Sequence, residues 1–224
     1  PRDGVSGDFP WFHKLDAWRM FAAVDCTGHG VPGAFMSLLG HNALQHIGKV
    51  YTKPGKILDR LNEMARTVLH RGADSGLEAK DQVPDGMDLG LVSINLEERK
   101  MEYAGANAPA YLVRRGDIIE LKPDKRAIAS FEPGAFRFTT QVIDLEDGDM
   151  VYCASDGYPD QFGGPKGRKF MRKRFRELLC EIATLTVDRQ EQILRERVET
   201  WRNEATEDQV DDILVCGVRI RLGQ

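Results

Sequence analysis

The sequence has few cysteines, no long apolar run and only a small excess of one charge sign. Its four cysteines form no C-x-x-C pair, which argues against a zinc ribbon and against a redox motif. No apolar run approaches the ~18 residues needed to span a bilayer, and no signal peptide is visible. The 31 Lys and Arg residues face 35 Asp and Glu residues, which gives a formal net charge of −4. This weakly acidic balance argues against general binding to a phosphate backbone, so we expect no nucleic-acid partner.

The length and composition are those of an ordinary globular protein. The 224 residues are 42% hydrophobic and 29% charged, and a chain of this size holds a core without disulfides or structural metals. We predict one domain over residues 1–224. Because the sequence opens without an initiator Met, we expect a cytoplasmic domain that forms the C-terminal part of a longer regulatory protein. Dimerisation, an upstream sensor module and membrane tethering through a missing N-terminal region stay open.

Two kinds of hydrophobic periodicity alternate in groups along the chain. Short runs rich in β-branched and aromatic residues predict strands of a largely antiparallel sheet, and apolar residues recurring at three and four predict helices. The predicted strands are residues 19–25, 88–95, 100–104, 110–114, 136–143, 150–154 and 213–219, and the predicted helices are residues 32–50, 56–69, 172–183 and 189–204. Residues 71–86 are predicted to form a surface loop. Strands and helix pairs grouped in this way favour an α+β fold in which helices cover packed sheets.

Four aspartates stand where acidic residues are unexpected. Asp8, Asp25, Asp156 and Asp211 each lie at the end of an apolar strand-like run or in a tight glycine turn. A carboxylate in a strand core is costly to bury unless it is paired, hydrogen-bonded or bound to metal. For Asp8 or Asp156 alone, a turn residue or a helix N-cap is the ordinary interpretation. The four together favour a shared cation site.

A ligand set made only of oxygen atoms is typical of Mg²⁺ and Mn²⁺ rather than of zinc. Two such ions bridged by one carboxylate bind phosphate oxygens and lower the pKa of a shared water, which permits attack on phosphorus near neutral pH. Glycines beside the aspartates let backbone carbonyls approach the ions closely. The pattern therefore indicates metal-dependent chemistry on a phosphate ester.

Five segments carry a more specific resemblance. In chain order they are VSGDF (5–9), VDCTGHGVPGA (24–34), YAGANAP (103–109), ASDGY (154–158) and VDDI (210–213). They resemble the ordered motifs of PPM-type (type 2C) metal-dependent serine/threonine phosphatases, and are most similar to the bacterial SpoIIE and RsbU branch. The resemblance implies a four-layer α-β-β-α sandwich, with two largely antiparallel sheets flanked by helices and a metal centre at one end.

Carried over motif by motif, the resemblance implies two Mg²⁺ or Mn²⁺ ions as cofactors. Asp25 resembles the carboxylate that bridges both ions, and the backbone carbonyl of Cys26 resembles a further ligand. Asp8 and Asp156 are expected to serve one ion and Asp211 the other. Asp25 and Asp211 are then the catalytic residues, acting through metal-activated water.

Two further residues are candidates for substrate binding. Arg2 precedes Asp8, and its guanidinium matches phosphate geometry; the alternative is a solvated or frayed terminal arginine. His29 stands between two glycines, where a general acid for the leaving serine oxygen and a turn histidine that bonds the backbone are both open. The run 160–170 is by default a solvated linker, with docking or gating of a substrate protein as the second interpretation.

The resemblance implies an enzyme, a hydrolase that removes phosphate from phosphoserine or phosphothreonine. The expected substrate is a regulatory protein of the anti-sigma-factor-antagonist type in a bacterial partner-switching pathway. The alternative is a pseudophosphatase that binds a phosphoprotein or another partner without hydrolysis. A nuclease or nucleotide phosphohydrolase is chemically possible with the same ions, but we expect neither a Walker-type loop nor a basic stripe to support it. The chain departs from the family pattern at Leu214, where a hydroxyl residue is common, and at Pro10, where tyrosine is usual, but it keeps all four aspartates.

Overall fold

The computed structural model of the chain describes residues 1–2, 4–28, 30–70, 86–130 and 136–222. In chain order the elements are β1 (Phe9–Leu15), β2 (Trp18–Cys26), α1 (Gly30–Ile47), α2 (Pro54–His70), β3 (Met87–Asn95), β4 (Lys100–Ala106), β5 (Ala110–Arg114), β6 (Asp117–Leu121), β7 (Gln141–Asp144), β8 (Met150–Ala154), α3 (Gly157–Asp160), β9 (Phe162–Gly163), β10 (Arg168–Lys169), α4 (Met171–Ile182), α5 (Val187–Asn203) and β11 (Val215–Arg219). None of the helices in these ranges has the length and hydrophobicity that crossing a membrane requires.

The first large sheet is antiparallel and has the strand order β1-β2-β3-β4-β7. Its central strands β2 and β3 are buried on both faces, which explains why their sequences are nearly continuous apolar runs. β1 lies at the edge, where the missing N–H of Pro10 is tolerated because only one neighbouring strand has to be satisfied. The sequence patterns did not predict β1, since Pro10, His13 and Lys14 interrupt its apolar character.

The second large sheet is also antiparallel and has the order β11-β8-β5-β6. Its inner face packs against the inner face of the first sheet. The core between them includes Phe21, Ala23, Val92, Ile94, Tyr103, Leu112, Val151, Cys153 and Cys216. A separate two-stranded hairpin, formed by β9 and β10, lies between α3 and α4 in the chain.

Helices cover the outer face of each sheet. α1 and α2 pack on the first sheet in a core that includes Trp11, Leu44, Leu58, Leu61 and Leu89. α4 and α5 pack on the second sheet in a core that includes Tyr152, Phe175, Leu179 and Val198. The layers are therefore helix, sheet, sheet and helix, and the predicted α+β sandwich is confirmed.

One predicted strand differs from the structure. Residues 136–143 were expected to be extended and paired, but only β7, at Gln141–Asp144, joins the sheet. The preceding backbone amides bond to side chains instead, because Phe138 N–H donates to Asp59 and Thr139 N–H donates to Asp124. The predicted loop at residues 71–86 lies outside the described residues except for Gly86.

The turn between β4 and β5 is fixed by one buried hydroxyl. Tyr103 is fully buried, and its O–H donates to the carbonyl of Ala108 at 2.7 Å. Gly105 leaves the space that this contact needs, since a Cβ there would lie 2.0 Å from the Tyr103 hydroxyl. The turn holds Asn107 with a positive φ of 56°. Tyr103 therefore positions a polar residue at the end of the sandwich.

Replacing Tyr103 by phenylalanine should destabilise the fold. The Ala108 carbonyl would lose its buried donor, which we expect to cost about 1–2 kcal/mol in the free energy of unfolding. Urea denaturation of both proteins measures this difference. Tyr111→Phe is the matched control, because the Tyr111 hydroxyl makes no side-chain hydrogen bond within the described ranges, and equal losses in the two variants would contradict the role given to Tyr103.

Candidate metal centre

Two carboxylates face each other where β2 ends and β3 begins. The strand register pairs Asp25 directly with Asp88. Like charges in directly opposed positions of an antiparallel pair destabilise the sheet. Asp88 is held from the adjoining turn, where the Asn107 side-chain amide donates to its Oδ1 at 2.9 Å. This end of the sheet thus carries two acidic groups, Asp25 and Asp88, although the sequence analysis identified only Asp25.

Asp8 and Asp156 meet this pair from other elements. Asp8 directly precedes β1, and Asp156 follows β8 by two residues, at the N-cap position of α3. The Asp156 side chain makes no capping hydrogen bond, so the N-cap interpretation does not account for it. Its carboxyl lies close enough to that of Asp25 for each to affect the pKa of the other. The Ser155 side chain lies close enough to Asp8 to lower the pKa of its carboxyl.

Burial and like charge make the ionised forms of these groups unfavourable. Burial is the largest cause that raises the pKa of Asp25 to about 9, and the charges of Asp8, Asp156, Asp211 and Asp88 add to it. Burial likewise raises the pKa of Asp8 to about 7, with further contributions from the neighbouring carboxylates. The pKa values of Asp88 and Asp156 are raised as well, again chiefly by burial. We call Asp8, Asp25, Asp88, Asp156 and Asp211 the aspartate cluster.

Asp212, next to the predicted ligand Asp211, binds the first residues of the chain. Burial alone would raise its pKa, but backbone N–H groups of Arg2 and Gly7, at 2.5 and 2.6 Å, and the Ser6 side chain lower it below the usual value. Its carboxylate therefore fastens the first residues of the chain to the segment before β11. Asp211 itself is exposed, and its Oδ1 accepts a hydrogen bond from the Asp212 backbone N–H.

The carbonyl of Cys26 lies beside the segment that carries Asp8. A Cβ at Gly7 would lie 3.2 Å from the Cys26 oxygen and 2.9 Å from the Gly28 oxygen, so a side chain would push the two segments apart. Burial raises the pKa of the Cys26 thiol to about 12, which keeps the thiol protonated. Binding of a cation by the Cys26 carbonyl stays a prediction.

The chemistry of the cluster fits a hard divalent cation. Oδ2 of Asp8 is buried and has no hydrogen-bond partner in the described part of the chain, and a buried acceptor without a donor is costly. The available donors are oxygen atoms, as Mg²⁺ and Mn²⁺ prefer. In the described ranges, however, no three Asp, Glu, His or Cys side chains stand in an arrangement that holds a metal ion directly. Binding an ion therefore requires the carboxylates to move closer together.

A cleft of about 100 Å³ adjoins the cluster. Its lining includes Asp25, Asp88, Asn107, Asp156 and Arg172. The sequence analysis assigned no role to Asp88, Asn107 or Arg172, because strand register and the approach of α4 are not visible in local patterns. A larger cavity of about 510 Å³ lies beside α5, and its lining includes none of the five aspartates of the cluster, so the smaller cleft is the one relevant to the cluster.

Of the two residues predicted to bind substrate, the structure describes Arg2 but not His29. The Arg2 guanidinium donates to the carbonyl of Val210 at 3.0 Å, so Arg2 is held near Asp211 by both its backbone and its side chain. This contact argues against a frayed terminus and leaves binding of a phosphate by Arg2 a prediction. His29 lies outside the described residues.

The family model described as stage II sporulation protein E (SpoIIE) matches residues 18–221 of the chain. Asp8 precedes this matched range, whereas Asp25, Asp156 and Asp211 lie within it. No curated protein matches the chain.

Solved structures of phosphatase domains have the same fold. The SiaA-PP2C domain of Pseudomonas aeruginosa is 30% identical, with a TM-score of 0.84 over 98% of this chain and 83% of that chain. The PP2C domain of SpoIIE from Bacillus subtilis, solved with a fragment of its regulatory domain, is 20% identical, with a TM-score of 0.72 over 97% of this chain and 58% of that chain. RsbX in complex with magnesium is 14% identical, with a TM-score of 0.64 over 96% and 87% of the two chains.

Without divalent cations, the protein should lose stability as the pH rises. The folded state raises the pKa of Asp8 to about 7 and that of Asp25 to about 9, from an ordinary value of 3.8. At pH values between the ordinary pKa of 3.8 and these raised pKa values, the folded protein binds more protons than the unfolded chain. Raising the pH therefore favours unfolding. We expect the Tm in EDTA to fall by roughly 5 °C or more from about pH 5 to about pH 9, measured by circular dichroism.

Excess Mn²⁺ should cancel most of this fall, because a bound cation stabilises the ionised carboxylates. Asp25→Asn should flatten the profile in EDTA, since it removes the group with the most strongly raised pKa in the cluster. A Tm that rises steadily with pH in EDTA would contradict the proposed electrostatics.

Proposed function

The chain belongs to the SpoIIE family of PP2C-type serine/threonine phosphatases, and from that premise we propose that its aspartate cluster binds two Mg²⁺ or Mn²⁺ ions and hydrolyses phosphoserine or phosphothreonine on a regulatory protein. The observation that carries the proposal is the convergence of Asp25, Asp88 and Asp156 on one cleft, with the buried and unpartnered Oδ2 of Asp8 on the adjoining strand end. Four carboxylates at one place, without a basic side chain paired to them in the described residues, need a cationic partner.

In this proposal Asp25 and the Cys26 carbonyl would be ligands at the centre, with Asp25 shared by the two ions. Asp8 and Asp156 would help to hold one ion, and Asp211 would help to hold the other. Such ions, when bound, polarise phosphoryl oxygens and lower the pKa of water.

Other residues of the chain position the aspartates. The Ser155 side chain accepts a hydrogen bond from the Leu214 backbone N–H at 3.0 Å, which holds it near the Asp8 carboxyl. Asp212 holds Gly7 against the segment that carries Asp211. Asn107 orients Asp88 beside Asp25. These contacts fix the carboxyl groups in position, which reduces the rearrangement that binding requires.

The substrate is proposed to be a phosphorylated regulator of the anti-sigma-factor-antagonist type. The resemblance of the five motifs to the SpoIIE and RsbU branch supports this choice. The chain spans 58% of the solved SpoIIE chain, so control by further domains is also a proposal. Such domains would act on the phosphatase from outside the residues described.

Activity should depend on metal and on two aspartates at once. We expect the purified protein to hydrolyse p-nitrophenyl phosphate and a phosphoserine protein in Mn²⁺ and to lose this activity in EDTA. Asp25→Asn and Asp211→Asn should each lower kcat/KM by roughly 100-fold or more, because each substitution removes a charged ligand. Phosphate release measured under each condition gives these values.

Asp117→Asn is the matched control, because Asp117 is an exposed carboxylate in β6 with no side-chain ion pair in the described ranges. It should leave kcat/KM unchanged. If the wild-type protein binds the phosphoprotein in Mn²⁺ but releases no phosphate, the phosphatase proposal is wrong and the pseudophosphatase alternative holds.

A further inference from the structure

A dense group of basic residues adjoins the acidic centre. Residues 166–176 contain seven Lys and Arg residues and no Asp or Glu, in a chain whose formal net charge is −4. We call this segment the basic strip; it comprises the β9–β10 turn, β10 and the first half of α4. Its members are Lys166, Arg168, Lys169, Arg172, Lys173, Arg174 and Arg176. The small overall charge therefore conceals a strongly positive surface, and the expectation that the chain has no basic stripe was wrong.

The basic strip reaches the aspartate cluster at two points. Arg172 is the cationic residue in the lining of the cleft that also contains Asp25, Asp88 and Asp156. Lys169 pairs with Asp160 at 2.8 Å, and the charges of both residues act on Asp156. The positive surface thus begins at the edge of the proposed catalytic centre.

Three of the cations in the basic strip are exposed and lack an acidic partner. Within the described residues, Lys166, Arg168 and Arg172 form no ion pair and donate no side-chain hydrogen bond. The other four are engaged. Lys169 pairs with Asp160, Lys173 approaches Glu177, Arg176 pairs with Glu120, and Arg174 lies over the Trp201 ring while donating to the Phe170 carbonyl. The unpaired charges are therefore available to a ligand.

The hairpin that carries the basic strip is held rigidly. A Cβ at Gly164 would lie 2.4 Å from the Trp201 ring, and Gly164 N–H donates to the Trp201 carbonyl at 2.7 Å. Buried Gln161 donates to the Asp208 carbonyl at 2.9 Å and accepts from Val210 N–H at 3.3 Å. These contacts link the hairpin to the segment that leads to Asp211. A rigid surface loses little conformational entropy when it binds a partner.

The charge distribution indicates what kind of partner fits. Cations at the rim of the cleft attract a phosphorylated, acidic peptide and steer its association with the proposed centre. Arginine also binds carboxylate and phosphate oxygens with matched, bidentate geometry. We propose that the basic strip binds acidic residues that flank the phosphorylated side chain of the protein substrate, with Arg172 closest to the phosphate. This inference rests on the proposed function and names the sequence class of its substrate.

Two phosphoserine peptides of equal length test this inference. In one the phosphoserine is flanked by glutamates, and in the other by lysines. Their dissociation constants are measured by fluorescence anisotropy on the Asp211→Asn variant, and their kcat/KM values on the wild-type protein in Mn²⁺. We expect the glutamate peptide to be preferred by at least about tenfold in both measurements. The preference should shrink between about 50 mM and about 500 mM NaCl, because salt screens exposed charges.

The paired substitution Lys166→Glu/Arg168→Glu should abolish or invert the preference, and Arg172→Gln should reduce it. Lys49→Glu/Arg189→Glu, the same charge change at two exposed cations outside the strip, should leave the ratio of the two peptides as it is in the wild type. Equal affinities for the two peptides in the wild type would overturn the inference. So would tighter binding of a single-stranded oligonucleotide than of the glutamate peptide, since the strip would then be a nucleic-acid site.

The two proposals fail in different ways. Turnover of both peptides without a preference refutes the docking role of the basic strip and leaves the phosphatase function standing. A preference in binding that is lost in Lys166→Glu/Arg168→Glu, without turnover of either peptide or of p-nitrophenyl phosphate, supports the docking role and refutes the phosphatase function.

Discussion

Mutual repulsion among carboxylates at one end of the sandwich is the constraint on which the rest of the structure depends. Asp25 and Asp88 are fixed opposite each other by strand register, and Asp8 and Asp156 approach from neighbouring elements. Burial and like charge both favour the protonated forms of these groups. The apolar layers between and outside the two sheets supply the stability that offsets this local cost.

The fold was largely predictable because its central strands and covering helices have strong periodic patterns. β2, β3 and β8 are nearly continuous apolar runs, as sheets buried on both faces require. The misses have local causes. The edge strand β1 contains Pro10, which a central strand would not tolerate. Residues 136–140 have the composition of a strand, but the amides of Phe138 and Thr139 bond to distant carboxylates that no local pattern reveals.

The candidate site was predictable only as far as its motifs extend. Asp8, Asp25 and Asp156 were identified as acids in unfavourable positions, and the structure gives them mutual charge interactions. Their roles as ligands stay predictions. Asp88 was not predicted as a site residue because only the strand register places it opposite Asp25. Arg172 was not predicted as a site residue because the packing of α4 against the second sheet, rather than any spacing along the chain, brings it to the cleft.

The hydrogen bonds of Asp212 have a consequence for the synthesis of the protein. They join residues separated by 210 and 205 positions in the chain, so the residues before β1 gain these contacts only after the segment before the last strand has left the ribosome. A nascent chain can pair β1 with β2, which brings Asp8 beside Asp25, but it lacks the contacts that tie Gly7 to the segment carrying Asp211. The order of translation thus delays assembly of the complete aspartate cluster until nearly the whole domain exists.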